Sequence, residues 1–216
     1  MDYRVFIRGG TGYVGNSLTK LLLTRGHSVT VLARPGSEGK VDTGAKVALG
    51  DALRAESFLL ALSPGDTLVH LTGVSHPTPW KERQFRAVDL VSLGASAEAA
   101  ATAGVRHFIY VSVAHPAPVM HAYIAVRREC EDILAASGLR RTILRPWYVL
   151  GPGHRWPVVL KPLYGLLEAI PATRDGAQRL GLVTLAQMTG ALAWAVENPP
   201  AEVRRLDVPA MRKLSG

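Results

Sequence analysis

Three glycines at intervals of three, Gly9, Gly12 and Gly15, carry the clearest chemical signal in this chain. They stand in the run Gly9-Gly10-Thr11-Gly12-Tyr13-Val14-Gly15, after an apolar segment at 3–8 and before a helix-periodic one at 13–24. The first glycine permits a sharp exit from a strand. The second lets a ligand approach the backbone, and the third lets the helix pack closely on the sheet. The helix that follows offers N–H groups with no intrahelical acceptor and the positive end of its dipole. Together Gly9, Thr11, Gly12, Tyr13, Val14 and Gly15 make a cradle suited to a diphosphate. The bland alternative is a tight turn that holds nothing. The placement between a strand and a helix favours the phosphate reading.

Such a turn needs a sheet behind it. Short β-branched runs predict strands at 3–8, 28–33, 46–49, 67–72, 107–111, 141–145 and 205–208. Apolar periodicity predicts helices at 13–24, 53–62, 81–103, 121–137 and 184–197. Gly26, Gly104 and Gly138 each follow a helix, where a left-handed residue ends it cleanly. Strands alternating with helices imply parallel pairing, and near-continuous apolar strands imply burial on both faces. The expected fold is α/β: a Rossmann doubly wound parallel sheet with helices on both faces and a small C-terminal extension. Residues 1–216 are expected to form a single domain. Within it, 151–216, loosened by Pro157, Pro162 and Pro171, contributes a small substrate-side region.

Composition bounds the function. The 216 residues are 48% hydrophobic and 19% charged, ordinary for a globular chain. Apolar runs are too short to span a bilayer. Cys130 is the only cysteine, so an intramolecular disulfide is excluded; buried packing is its expected role. The opening Met1-Asp2-Tyr3-Arg4 has no signal-peptide character, and a cytoplasmic location is expected. Lys and Arg number 25 against 17 Asp and Glu, a net charge of +8. The basic residues come singly or in pairs, as at Arg127-Arg128, Arg140-Arg141 and Arg204-Arg205, with no interleaved aromatic platform. That pattern argues against nucleic acid and leaves a small molecule as the expected partner. Histidines, acids and the cysteine lack metal-ligand spacing, so no metal is expected.

The glycine run, with Thr11 before its second glycine, resembles the extended and atypical short-chain dehydrogenases/reductases. Leu68-Val69-His70-Leu71-Thr72-Gly73 is similar to that family's fourth strand and the turn beside the cofactor. Phe108-Ile109-Tyr110-Val111-Ser112 is similar to its fifth strand, and Leu144-Arg145-Pro146 and Gly151-Pro152-Gly153 to two later landmarks. The nearest likeness is to short NAD(P)-binding members named as epimerases or reductases, including NmrA-like proteins. The resemblance implies a nicotinamide dinucleotide held by the glycine turn and by Leu71, Thr72 and Gly73. The second strand ends Val31-Leu32-Ala33-Arg34-Pro35, with no acid to bond a ribose 2′-hydroxyl. Arg34 could pair with a 2′-phosphate instead, with Arg8 adding charge nearby, so NADP(H) is expected over NAD(H). The alternative for Arg34 is a solvated loop residue. Asp51 resembles the family acid that bonds the adenine amine; it could equally cap the segment from Leu53.

Reductases of this family use a Ser or Thr, a Tyr as general acid and a Lys four residues after the Tyr. Tyr123 falls at the acid position and Arg127 at the Lys position, where Arg127 would also touch the cofactor. Arginine keeps the charge but not the geometry. The Ser position falls on Val113, with Ser112 adjacent; successive strand residues face opposite sides. Tyr123 is thus either a proton donor or a helix Tyr at the cofactor edge. His76, His115 and His121 flank the region as further proton carriers or plain surface residues. Trp80, Trp147, Tyr148, His154 and Trp156 could wall a flat acceptor or simply pack. The implied activity is NADP(H)-dependent reduction of a small carbonyl, quinone or flavin-like acceptor. The rival is a non-catalytic NAD(P)(H)-binding sensor or scaffold. Pairing of two copies through helices is a further expectation.

Overall fold

The structure is a computed structural model that describes residues 2–75, 77–151 and 179–214. Seven strands form one parallel sheet. In chain order they are β1 (Arg4–Arg8), β2 (Ser28–Ala33), β3 (Lys46–Leu49), β4 (Thr67–His70), β5 (His107–Val111), β6 (Arg141–Leu144) and, last, β9 (Val203–Leu206). Their spatial order is β3-β2-β1-β4-β5-β6-β9. A separate parallel pair joins β7 (Tyr148–Leu150) to β8 (Leu182–Thr184). The helices are α1 (Tyr13–Thr24), α2 (Glu82–Gln84), α3 (Val91–Thr102), α4 (His121–Ala136), α5 (Leu185–Glu197) and α6 (Val208–Lys213).

Side-chain alternation along the strands builds two cores. Val5, Ile7, Val31, Val69 and Ile109 face Leu18 and Leu22 of α1 and Met188, Leu192 and Val196 of α5. Phe6, Leu32, Leu68, Phe108 and Ile143 face Leu93 and Ala97 of α3 and Val126, Cys130 and Leu134 of α4. The sheet is therefore covered on both sides, and each apolar side chain it buries contributes about 1.5–3 kcal/mol. Cys130 packs in this second core, where burial pushes its thiol up to about 11. The chain winds outward from β1 through β2 to β3, then returns to place β4 on the other side of β1. That reversal opens a crevice beyond the carboxyl ends of β1 and β4, the place where open parallel sheets hold ligands.

Several strand ends differ by one or two residues, β4 stopping at His70 rather than 72, and three predicted elements differ in kind or position. The helix expected at 53–62 is two 3₁₀ turns, Ala55–Ser57 and Leu59–Ala61. The Ser57 hydroxyl bonds the carbonyls of Asp51 and Arg54, drawing backbone groups away from a regular helix. The helix expected at 81–103 begins as a 3₁₀ turn and passes through a π-helical stretch, Phe85–Leu90, before α3. The last strand is Val203–Leu206 rather than 205–208, because Asp207 caps α6 by accepting from the Ala210 N–H, with Pro209 in its first turn.

Candidate cofactor and active site

The glycine turn sits at the crevice and is closed by contacts that no side chain could share. Gly9 has φ +81°, and a Cβ there would stand 2.9 Å from the Leu71 carbonyl carbon at the end of β4. A Cβ on Gly10 would strike Val31 of β2, and one on Gly15 would fall on the Gly9 carbonyl oxygen. The Gly12 N–H donates to that same carbonyl at 3.1 Å. Gly12 then opens α1 with no side-chain cap and no acidic residue in the first turn. Its end amides face the crevice with their dipole unneutralised. The Tyr13 hydroxyl lies against Gly151, where a Cβ would collide with it. Beside the turn, the Thr72 hydroxyl is buried without a hydrogen-bond partner among the described residues. A bare-backbone cradle, an uncapped helix start and an unpaired buried hydroxyl fit a dinucleotide phosphate group. Gly10 was missing from the sequence expectation; its glycine is demanded by Val31, a contact across 21 positions.

The adenine end holds Arg34, exposed at the tip of β2. Asp51 is exposed, and its Oδ1 accepts from the Leu53 N–H at 2.9 Å, which is the capping geometry. Arg8 corrects the expectation of a nearby free charge. It is fully buried, lies 4.4 Å over the Phe58 ring, and donates to the carbonyls of Ser92, at 2.7 Å, and Ala52. Burial pulls its guanidinium down to about 9, against the pull of Asp51.

At the other end, a cavity of about 210 Å³ runs from Val14 in the first turn of α1 to Tyr123 on α4. Leu71, Val111, Ser112, Val113, Trp147 and Met188 also line it. Tyr123 is half-buried, tilted against Phe85 at 4.9 Å between ring centres, and burial raises its hydroxyl above the ordinary tyrosine range. The Arg127 guanidinium lies 4.9 Å over its ring. Arg127 is buried and committed: Nη2 pairs with Asp89 at 2.7 Å, and Nη1 donates to the Tyr110 hydroxyl at 3.2 Å and the Val111 carbonyl at 3.0 Å. Burial opposes the Arg127 charge, and Tyr110, Tyr123 and Asp89 more than offset it. Burial pushes the Asp89 carboxyl up while Arg127 holds it back. The other Asp89 oxygen accepts from the Val74 N–H at 3.1 Å. Gly73 passes so close that a Cβ would press on both Arg127 and Asp89. Asp89 and Tyr110 were not singled out from the sequence. An acid set among apolar neighbours, Val88 and Leu90, was the only trace of the first.

Ser112 is buried and lines the cavity beside Val113. Burial works to raise the Glu131 carboxyl; the bonds and charge of Arg145 are the chief opposing influence, and it stays below the usual range. His115 stands near Glu131 rather than in the cavity, and burial beside Arg145 lowers its ring. His121 is exposed at the start of α4. Trp147 lines the cavity, Tyr148 is half-buried on β7, and Trp80 is 82% exposed and does not line this cavity. His76, His154 and Trp156 lie outside the described residues. A cleft of about 400 Å³ lies at the opposite, amino end of the strands, far from this chemistry. Among the described residues no helix is long and apolar enough to cross a membrane, and no group of three His, Cys, Asp or Glu could hold a metal.

Fold and site together define a Rossmann-class α/β protein built around a dinucleotide cradle. The NAD(P)H-binding family matches residues 9–159, and the chain belongs to that family as a member of the extended or atypical short-chain dehydrogenase/reductase group. It is 27% identical over 225 residues to a 3-diazoavenalumate denitrifying reductase of a Streptomyces species, covering 90% of this chain and 72% of the other. It is 29% identical to a ceramide reductase of Caulobacter vibrioides, over 69% of this chain and 47% of that one. An uncharacterised sugar epimerase of Bacillus subtilis is 30% identical over 66% of this chain and 71% of its own. Among solved structures, the Bordetella bronchiseptica enzyme WbmH in complex with NAD+ superposes with a TM-score of 0.71 at 20% identity, over 100% of this chain and 79% of that one. The Thermus thermophilus UDP-glucose 4-epimerase complex with NAD gives 0.68 at 18% identity, over 98% and 81%.

Proposed function

We propose that the protein is an NADP(H)-dependent oxidoreductase that reduces a small carbonyl, quinone or flavin-like acceptor, with Tyr123 as its proton donor. The observation that carries this reading is the cavity joining the first turn of α1 to the Tyr123 side chain. Two of the relatives are named as reductases, which agrees with it. A nicotinamide bound there supplies the hydride. Tyr123, kept protonated by burial, donates from its hydroxyl to the acceptor oxygen. The Arg127 cation over the ring stabilises the phenolate left behind, and Asp89 holds that cation in place. Val111, Val113, Leu71 and Met188 keep the cavity apolar, and Trp147 offers a face for a flat acceptor. NADP selectivity is read from Arg34 at a strand tip that carries no acid.

Two measurements test this. Titration with NADPH and NADH should show NADPH bound at least about tenfold tighter, with the preference lost in Arg34→Ala; equal affinities unmoved by the substitution would remove the selectivity. NADPH oxidation against quinones, flavins and aldehydes should give turnover that drops about 10²–10⁴-fold in Tyr123→Phe. The second reading, a non-catalytic sensor, is favoured by an Arg127 guanidinium already committed to Asp89, the Tyr110 hydroxyl and the Val111 carbonyl. Tight NADPH binding without turnover on any acceptor would establish it over the first.

A further inference from the structure

The paired arginines of the sequence split in a regular way. Arg127, Arg140 and Arg204 each go elsewhere: into the Tyr123 cavity, out to solvent, and over the Trp194 ring at 4.9 Å. Their neighbours Arg128, Arg141 and Arg205 converge on one cleft of about 190 Å³, together with Arg145, His115 and Glu131. The folding reason is plain. Adjacent strand residues face opposite sides of the sheet, and adjacent helix residues diverge around the axis. Arg205 pairs in register with Ile143, so β6 and β9 present Arg141, Arg145 and Arg205 on the same face, where α4 adds Arg128.

We infer that this cleft binds a small phosphate-bearing anion, at a site separate from the dinucleotide cradle. Charge favours it. Glu131 is consumed by Arg145, in two hydrogen bonds, and by nearby His115, leaving Asp132 as the one uncommitted carboxylate lining the cleft among the described residues. Against it stand Arg128, Arg141 and Arg205. Arg141 spends one N–H on the Leu139 carbonyl at 3.1 Å. One buried nitrogen, Arg141 Nε, has no hydrogen-bond partner among the described residues. Buried polar atoms are rarely left unpaired, and here an oxyanion is the acceptor that the guanidinium lacks. The volume sets the size. It is below the range of pockets for drug-sized ligands and suits a phosphate with a few carbons.

The test is isothermal titration of the full chain, saturated with NADPH, using inorganic phosphate and glycerol phosphate at physiological NaCl. Saturable binding of either probe is expected, the tighter one distinguishing a free ion from a phosphomonoester. Arg128→Ala with Arg205→Ala removes two exposed guanidiniums and should weaken binding about tenfold or more for each, with NADPH affinity and thermal unfolding unchanged. Absence of saturable heat with both probes would overturn the proposal. So would affinity unaltered in the double variant, or salt-sensitive retention of duplex DNA by these arginines that phosphate does not displace.

Discussion

Arg127 gathers more of this protein's chemistry than any other side chain. It lies over Tyr123, bonds Tyr110 and pairs with Asp89, whose second oxygen holds the turn after β4 through Val74. A buried pair of this kind tolerates poorly the loss of one member, since the remaining charge keeps its desolvation penalty. Asp89→Ala should therefore lower unfolding free energy by about 3–5 kcal/mol in urea titration, far more than a surface substitution. At this scale the sequence was legible where sterics dictate residue type. The glycine spacing declared itself because only glycine fits Gly9 and Gly15. The expected alternation of Ser112 and Val113 did not separate them, since β5 ends at Val111 and both line the cavity. Asp89 was not legible, because its partner lies 38 positions away and only the folded helices bring them together. Arg8 misled for a similar reason: nothing local shows that its side chain ends on the carbonyls of Ser92 and Ala52.

Elements followed their local signals wherever periodicity was strong and a terminator stood close. The helix α1 matches its expected bounds, and β2 and β3 do too. The glycines at 26, 104 and 138 all take positive φ, as chain reversal after a helix requires. Legibility failed where side chains competed with the backbone, as at Ser57, or where strands were only three residues long, as in β7 and β8. The start of α5 was nearly legible. Thr184 accepts from the Gln187 N–H at 3.1 Å while the Gln187 side chain accepts from the Thr184 N–H at 3.0 Å, a reciprocal cap. Thr184→Ala should lower stability by about 1 kcal/mol, read as a shift in the urea midpoint with unchanged slope.

Across the whole molecule, two histidines tie stability to pH. His70 bonds Ser96 at 2.8 Å, and His107 bonds Thr142 at 2.9 Å; both are buried in the sheet. Burial, reinforced by Arg106, Arg140 and Arg204, pulls the His107 ring down to about 3. Burial, with Arg8 and Arg127, holds His70 well below its ordinary value. Unfolded, each titrates near 6.5. The unfolded chain thus takes up more protons below that point, so stability is full above pH 6.5 and declines as pH falls toward 3. Each ring contributes up to about 1.4 kcal/mol per pH unit in that window. Urea midpoints at pH 7.5, 6 and 5 should show the decline. It should be shallower in His107→Gln, which keeps a partner for Thr142, and an unchanged slope would remove His107 from the account. The bare start of α1 has a consequence for how long such a molecule survives in a cell. A ligand that completes that helix adds about 2.7 kcal/mol when present at a hundred times its dissociation constant. Copies made during a dinucleotide shortage would open to proteases more often, so abundance of the chain would track supply of the nucleotide without any dedicated regulator.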